Sequence, residues 1–114
     1  MTLLINATTP QNVIQASDRR LTLLPDGSLY NDEANKVICV SCKDEHFAIA
    51  YTGLAEIEKQ RTDIWIVDYL TAINAHKMTV ELISESMEKY ATSCLKTVDR
   101  RYRRTSLVLA GYRL

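Results

Sequence analysis

No stretch of the chain approaches the roughly 18 consecutive apolar residues that a bilayer-spanning helix needs, so no membrane partner is expected. Net charge is missing as well. Fourteen acidic and fourteen basic residues cancel, which leaves no global field to draw in nucleic acid or anionic lipid. Nor does the chain have the low hydrophobicity of a disordered polymer: 46% of its 114 residues are hydrophobic and 25% charged. The three cysteines, Cys39, Cys42 and Cys94, are odd in number and follow no secretory leader, which predicts a reducing, cytoplasmic setting. Cys39 and Cys42 have C-x-x-C spacing. Neither His46 nor His76 stands at a recognisable ligand interval from them, and strand residues three apart point to opposite faces. No metal and no cofactor are expected.

What remains is a length suited to one domain, able to bury roughly two-thirds of its unfolded surface. Thr2 to Thr8 is apolar or β-branched almost throughout, Thr9-Pro10-Gln11-Asn12 supplies a turn, and Val13 to Ser17 returns as the second strand of a hairpin. A polar loop with Pro25-Asp26-Gly27-Ser28 follows. Val37 to Cys42 and Phe47 to Thr52 form a second strand pair. Phe47, Ile49 and Tyr51 share one face of it; the small Ala48, Ala50 and Thr52 share the other, as close approach of another layer or a substrate would require.

After Gly53 the period changes. Thr62 is a candidate cap for a helix starting at Asp63, apolar on more than one side through Ile64, Trp65, Val67, Leu70 and Ile73, and hence expected to be covered by two neighbours. Thr79 caps a second helix with one stripe: Val80, Ile83, Met87, Tyr90, Cys94 and Val98. Arg100, Arg101, Arg103 and Arg104 follow Lys96. They suit a helix end, where cations face the last carbonyls, or an ion pair with another subunit; a phosphate-binding patch is the rival reading. Thr105 to Tyr112 is a last strand whose contiguous Leu107-Val108-Leu109-Ala110 predicts burial on both faces. Four strands, two helices and one strand predict a layered α+β protein. A doubly buried strand with nothing after it predicts an incomplete domain over 1–114, lacking its C-terminal half.

Chemistry enters at the second residue. Trimming Met1 would give Thr2 a free α-amine beside its hydroxyl. An amine with a reference pKa near 7.7–8.0 can accept the hydroxyl proton while the oxygen attacks a carbonyl. By itself Thr2 is more simply a β-branched strand residue. Asp18, at the end of the return strand, and Lys36, at the opening of the next pair, alter that reading: an ammonium beside the threonine lowers its proton affinity, and a carboxylate holds the ammonium. Arg20 is a candidate brace for the loop through a carboxylate. Gly53 would let a backbone N–H approach an oxyanion, though it serves equally as a turn glycine.

Val13-Ile14-Gln15-Ala16-Ser17-Asp18-Arg19-Arg20-Leu21-Thr22 resembles the proteasome-type signature of hydrophobic residues followed by Ala-Asp-x-Arg-x-Thr. Lys36-Val37-Ile38 resembles that family's Lys-Ile opening of the third strand, Tyr51-Thr52-Gly53-Leu54-Ala55 its small-Gly-x-x-Ala segment, and Leu107 to Tyr112 its fifth strand. The resemblance, to proteasome-like N-terminal-nucleophile (Ntn) hydrolases, spans essentially the whole chain. It implies the N-terminal half of an αββα fold, with Thr2 as nucleophile sixteen positions before Asp18. It also implies Lys36 as the family lysine, Asp18 orienting it, and Gly53 as oxyanion donor. Backbone near Leu21 and Thr22 would pair with an extended peptide, and Tyr51 and Ala55 would shape the pocket before the cleaved bond. Peptide or unfolded protein would be the substrate and copies of the chain the partners, as a homo-oligomer or ring. The alternatives are a non-catalytic structural or regulatory subunit and, on the arginine cluster alone, a nucleic-acid module.

Overall fold

The computed structural model describes residues 3–22, 28–100 and 103–113; Met1, Thr2, the Pro25-Asp26-Gly27 loop and Arg101 lie outside them. Among the described residues the chain is mixed α+β. Its strands are β1 (Leu4–Thr8), β2 (Val13–Ser17), β3 (Leu21–Thr22), β4 (Leu29–Asn31), β5 (Val37–Ser41), β6 (Glu45–Thr52), β7 (Glu56–Ile57), β8 (Gln60–Arg61) and β9 (Ser106–Arg113). Between β8 and β9 run α1 (Thr62–Ala72) and α2 (Val80–Cys94).

β1 and β2 pair from Leu4↔Ser17 to Thr8↔Val13, and Thr9 closes their turn: its hydroxyl accepts from the Asn12 amide at 2.9 Å. The central sheet has the order β5-β6-β9, antiparallel throughout. Its strand alternation sorts large from small as expected. Phe47, Ile49 and Tyr51 are buried, with Ile38, Val40, Leu107 and Leu109 as cross-strand neighbours on the same face. This face meets Trp65, Ile66 and Leu70 of α1 and Ile83, Met87 and Cys94 of α2 in one core. Each fully buried isoleucine there contributes about 1.5–3 kcal/mol. β2 approaches all three strands, and the Gln15 amide donates to the Val108 carbonyl at 3.0 Å. The small Ala48 and Ala50 face permits that approach; Ala50 is fully buried.

Several expectations need correction. β3–β4 and β7–β8 are short hairpins that the sequence did not announce. Between β7 and β8 both turn residues, Glu58 and Lys59, have positive φ, the geometry of a two-residue hairpin loop that normally recruits Asn or Gly. Thr62 does not cap α1. The cap position belongs to Arg61, without a side-chain bond, and the Thr62 hydroxyl donates to the Leu54 carbonyl at 2.7 Å. Helix α1 is covered on one side only, since Ile64 and Val67 remain exposed. β9 is not buried on both faces. It is the edge of its sheet and Leu107–Ala110 are half-buried.

α2 follows the sequence except at its end: the helix stops at Cys94, and Val98, expected as the last residue of its stripe, lies beyond it in extended backbone. The Thr79 hydroxyl accepts from the Leu82 amide at 3.4 Å, and Ile83, Met87 and Cys94 are its buried stripe. Tyr90 of that stripe is exposed at its rim, stacking on Tyr69 and Trp65 at centroid distances of 4.4 and 5.3 Å. Beyond α2, Arg103 donates to the Lys96 and Val98 carbonyls at 2.8 and 2.7 Å, a cation satisfying the carbonyls after a helix end. Among the described residues no helix is long and apolar enough to cross a membrane.

Candidate functional site

The β1–β2 ladder extends one pair past Leu4↔Ser17. The Asp18 amide donates to the Leu3 carbonyl at 3.3 Å, and the Leu3 amide donates to Asp18 Oδ1 at 3.1 Å. The second hairpin is prolonged in the same way, the Tyr51 amide donating to the Lys36 carbonyl at 3.1 Å. Lys36 then carries its ammonium from the start of β5 to the start of β1. Nζ lies 3.2 Å from both Asp18 carboxylate oxygens. The lysine side chain is 1% exposed and the aspartate side chain 35%. A buried ammonium is tolerable because a carboxylate faces it. Burial pushes the Asp18 carboxyl up, but the Lys36 hydrogen bond, the Leu3 amide, the Lys36 charge and the Arg20 amide outweigh it, so Asp18 titrates below the usual carboxylate range.

The segment between these partners is braced by Arg19; the 23–27 loop that Arg20 was expected to brace lies outside the described residues. The Arg19 guanidinium donates to the Glu33 carbonyl at 2.5 Å and the Ala34 carbonyl at 3.5 Å, and the Ala34 amide donates back to the Arg19 carbonyl at 3.2 Å. Arg20 is exposed and forms no ion pair among the described residues; its contribution is a backbone amide on Asp18.

Gly53 ends β6 two residues after Tyr51, beside the same end of the sheet as Lys36. Its φ of +114° belongs to glycine, and a Cβ there would run into the Arg104 carbonyl and lie 2.8 Å from Thr105 Cα. Tyr51 and Ala55 are packed into the core with Leu21 and Ala34, all at 5% exposure or less. Among the described residues the Tyr51 hydroxyl has no hydrogen-bond partner; burial first, then the Asp63 carboxylate, pushes its pKa up. Leu21 and Thr22 form β3, whose backbone is already paired with β4 through Leu21↔Asn31 and Thr22↔Leu29. Thr2 lies outside the described residues.

One feature of the neighbourhood has no counterpart among the expected site residues. Arg61 grips Asp63 with two bonds, 2.6 and 2.9 Å, and the Asn35 amide donates to Asp63 Oδ2 at 3.3 Å. Asp63 was legible only as a favourable charge in a first helical turn; its burial beside the residue preceding Lys36 was not. Elsewhere, Cys39 is exposed while Cys42 is buried and donates to Asp44 at 3.4 Å. Among the described residues no group of three or more His, Cys, Asp or Glu could hold a metal ion.

The geometry is thus an ammonium held at the origin of the first strand, with a glycine-only backbone bend at the same end of the sheet as the Lys36 backbone. No family model matches the chain, and neither does any curated protein or solved structure.

Proposed function

We propose that this chain is a threonine-dependent peptide or amide hydrolase of the proteasome-like Ntn type, with Thr2 as nucleophile once Met1 is removed. One observation supports this above all. Asp18 Oδ1 receives both the Leu3 amide and the Lys36 ammonium. The two donors can be no farther apart than those bonds laid end to end, and the Leu3 nitrogen is the one bonded to the carbonyl carbon of Thr2. In the proposed reaction the Thr2 hydroxyl oxygen attacks the substrate carbonyl and its proton passes to the Thr2 α-amine. That amine returns the proton to the leaving nitrogen, and water then releases the acyl group from the threonine ester. The Lys36 charge favours the alkoxide and Gly53 supplies an N–H toward the oxyanion. On this reading the chain carries the N-terminal half of a layered αββα fold, assembles with copies of itself in the cytoplasm, and takes peptide or unfolded protein.

A second reading, a non-catalytic structural or regulatory subunit, is favoured by a different observation. Tyr51 and Ala55, the residues expected to shape a pocket, are buried in the core with Leu21 and Ala34, and the backbone of β3 is paired with β4. Intact mass followed by a threonine-directed electrophile separates the two. Hydrolysis requires loss of one methionine and a covalent adduct that Thr2→Ala abolishes. Complete retention of Met1 blocks the amine as an amide and overturns catalysis, leaving the structural role.

A further inference from the structure

β5 is an edge strand with an open flank. Lys36 and Cys42, one residue beyond each of its ends, bond through their backbone to Tyr51 and Glu45 of β6. Antiparallel alternation therefore turns the amides and carbonyls of Ile38 and Val40 to β6 as well, and those of Val37, Cys39 and Ser41 outward. The outward row is stopped at both ends. Asp63 Oδ2 accepts from the Asn35 amide at 3.3 Å, and the Met78 carbonyl accepts from the Lys43 amide at 2.9 Å. Between these stops, Val37, Cys39 and Ser41 have no backbone partner on the outer side among the described residues. Nor does the sequence blunt this edge. Val-Ile-Cys-Val-Ser has no charge, proline or glycine, whereas the opposite edge, β9, follows Arg103 and Arg104 and ends on Arg113.

α1 lies against β5 and makes this flank a groove. Two hollows of about 350 Å³ each, ample for a branched aliphatic side chain, share Ile38 and Val67. Val37 and Ile64 also line the first, Val40 and Leu70 the second. Ile64 and Val67 are 42% and 44% exposed, so the helical wall is open to solvent. The β5 residues lining the two hollows are offset by about two positions, the side-chain repeat on one face of a strand. We infer that the groove binds a short extended peptide segment, added antiparallel beside β5, with aliphatic side chains at i and i+2 in the hollows. Its backbone meets the outward groups of Val37, Cys39 and Ser41. The same edge does not admit β5 of a second copy. Paired strands stand about 4.8 Å apart, and the copy would bring its own α1 into a space where two helices need about 8–10 Å. The inference is independent of Thr2 chemistry, since neither Asp18 nor Lys36 lines the groove.

The probe is a fluorescein-labelled Gly-Ser-Ile-Thr-Ile-Ser peptide with an amidated C-terminus, whose anisotropy should rise saturably with the full chain. With both isoleucines toward the helix, the threonine amide faces β5. Its N-methylation should weaken binding about tenfold, the value of one backbone hydrogen bond, whereas N-methylation of an isoleucine amide should change little. Serine in place of both isoleucines should abolish binding. So should Val67→Glu, at an exposed helical position, with the thermal midpoint of the free protein unchanged. Amide exchange followed by ¹H–¹⁵N spectra adds a readout by residue. Val37, Cys39 and Ser41 should exchange fast in the free protein and slowly with peptide, while Ile38 and Val40 are slow in both. Thr2→Ala should bind the probe as the parent does, so loss of the hydrolase reading leaves the groove standing. Anisotropy that never saturates overturns the inference, as does indifference to N-methylation of the threonine or to Val67→Glu. Protection of the three outward amides in the free protein also overturns it: constant protection means that the chain covers its own edge, and protection that grows with concentration means that a second copy does.

Discussion

The two ion pairs near the start of β5 are built in opposite senses. In Lys36–Asp18 the cation is buried and the carboxylate open, 1% against 35% exposed; in Arg61–Asp63 the carboxylate is buried and the cation open, 6% against 26%. The second arrangement is self-contained. Two guanidinium N–H groups and the Asn35 amide satisfy Asp63, and the arginine seals it from outside. The first holds a buried positive charge at the end of a strand, on a carboxylate whose other donors are backbone amides. A desolvated ammonium keeps its field because water does not screen it, which is useful chemically and costly for folding. One pair ties a helix to a loop; the other spends stability to place a charge.

The sharpest way to break this comparison is through the chemistry at Thr2. Lys36→Met preserves the length and apolar stem of the lysine and leaves Asp18 able to hydrate. Covalent labelling of Thr2 should fall at least about a hundredfold, in line with the loss of one charge-stabilising group, while the urea midpoint changes little. Labelling that survives Lys36→Met ends the catalytic role proposed for the ammonium, and the two pairs then become equivalent structural links.

The next effect is on stability, and its pattern across four variants matters more than any single value. Asp18→Asn strands a buried ammonium without the carboxylate that faces it and should cost about 3 kcal/mol; Arg61→Leu strands the buried Asp63 and should cost a similar amount. Their counterparts, Lys36→Met and Asp63→Asn, remove the buried charge itself and should stay within about 1–2 kcal/mol of the parent. Denaturant unfolding checks the order. If Lys36→Met proves more damaging than Asp18→Asn, the lysine is a packing residue first and a charge second.

Much of this arrangement was open to sequence reasoning, and the failures share a cause. Asp18 and Lys36 were readable because each stands at the end of a five-residue strand whose bounds the sequence marks. The same holds for the Phe47, Ile49 and Tyr51 face and for the Thr79 cap. What failed were features set by neighbours. Thr62 has the right chemistry for a cap, but the Leu54 carbonyl claims its hydroxyl. Ile64 and Val67 have a core composition and lie exposed. β9 reads as an inner strand, yet it is an edge. Local pattern reports what a residue can do, and tertiary contacts decide which option is taken.

A smaller effect follows from pH. The folded-state pKa of Asp18 lies below its ordinary 3.8. The pair therefore contributes fully above 3.8, and that contribution is lost as pH falls through the lowered folded value, where the native carboxylate finally takes a proton. Urea midpoints from pH 6 down to 2 should show a steep acid limb that is shallower in Asp18→Asn. Parallel limbs in the two proteins would mean that other carboxylates carry the acid sensitivity and that the open member of the Lys36 pair is linked weakly to folding.

The smallest effect tests what holds Arg61 over Asp63. β8 ends at Arg61 and is fixed by a two-residue turn in which Glu58 and Lys59 have φ of 52° and 63°. A side chain in the left-handed region costs about 1 kcal/mol, which glycine avoids. Lys59→Gly should therefore stabilise the protein by somewhat less than that, because glycine also gains freedom in the unfolded chain. Lys59 is exposed, so little packing is lost. Repeating the substitution in the Asp63→Asn background closes a double-mutant cycle. Equal gains in both backgrounds mean the turn and the ion pair act separately. A gain confined to Asp63→Asn would mean that the strained turn is what presses Arg61 onto its buried carboxylate. The structural pair would then depend on local strain, whereas the Lys36 pair depends on the ends of two strands, β2 and β5.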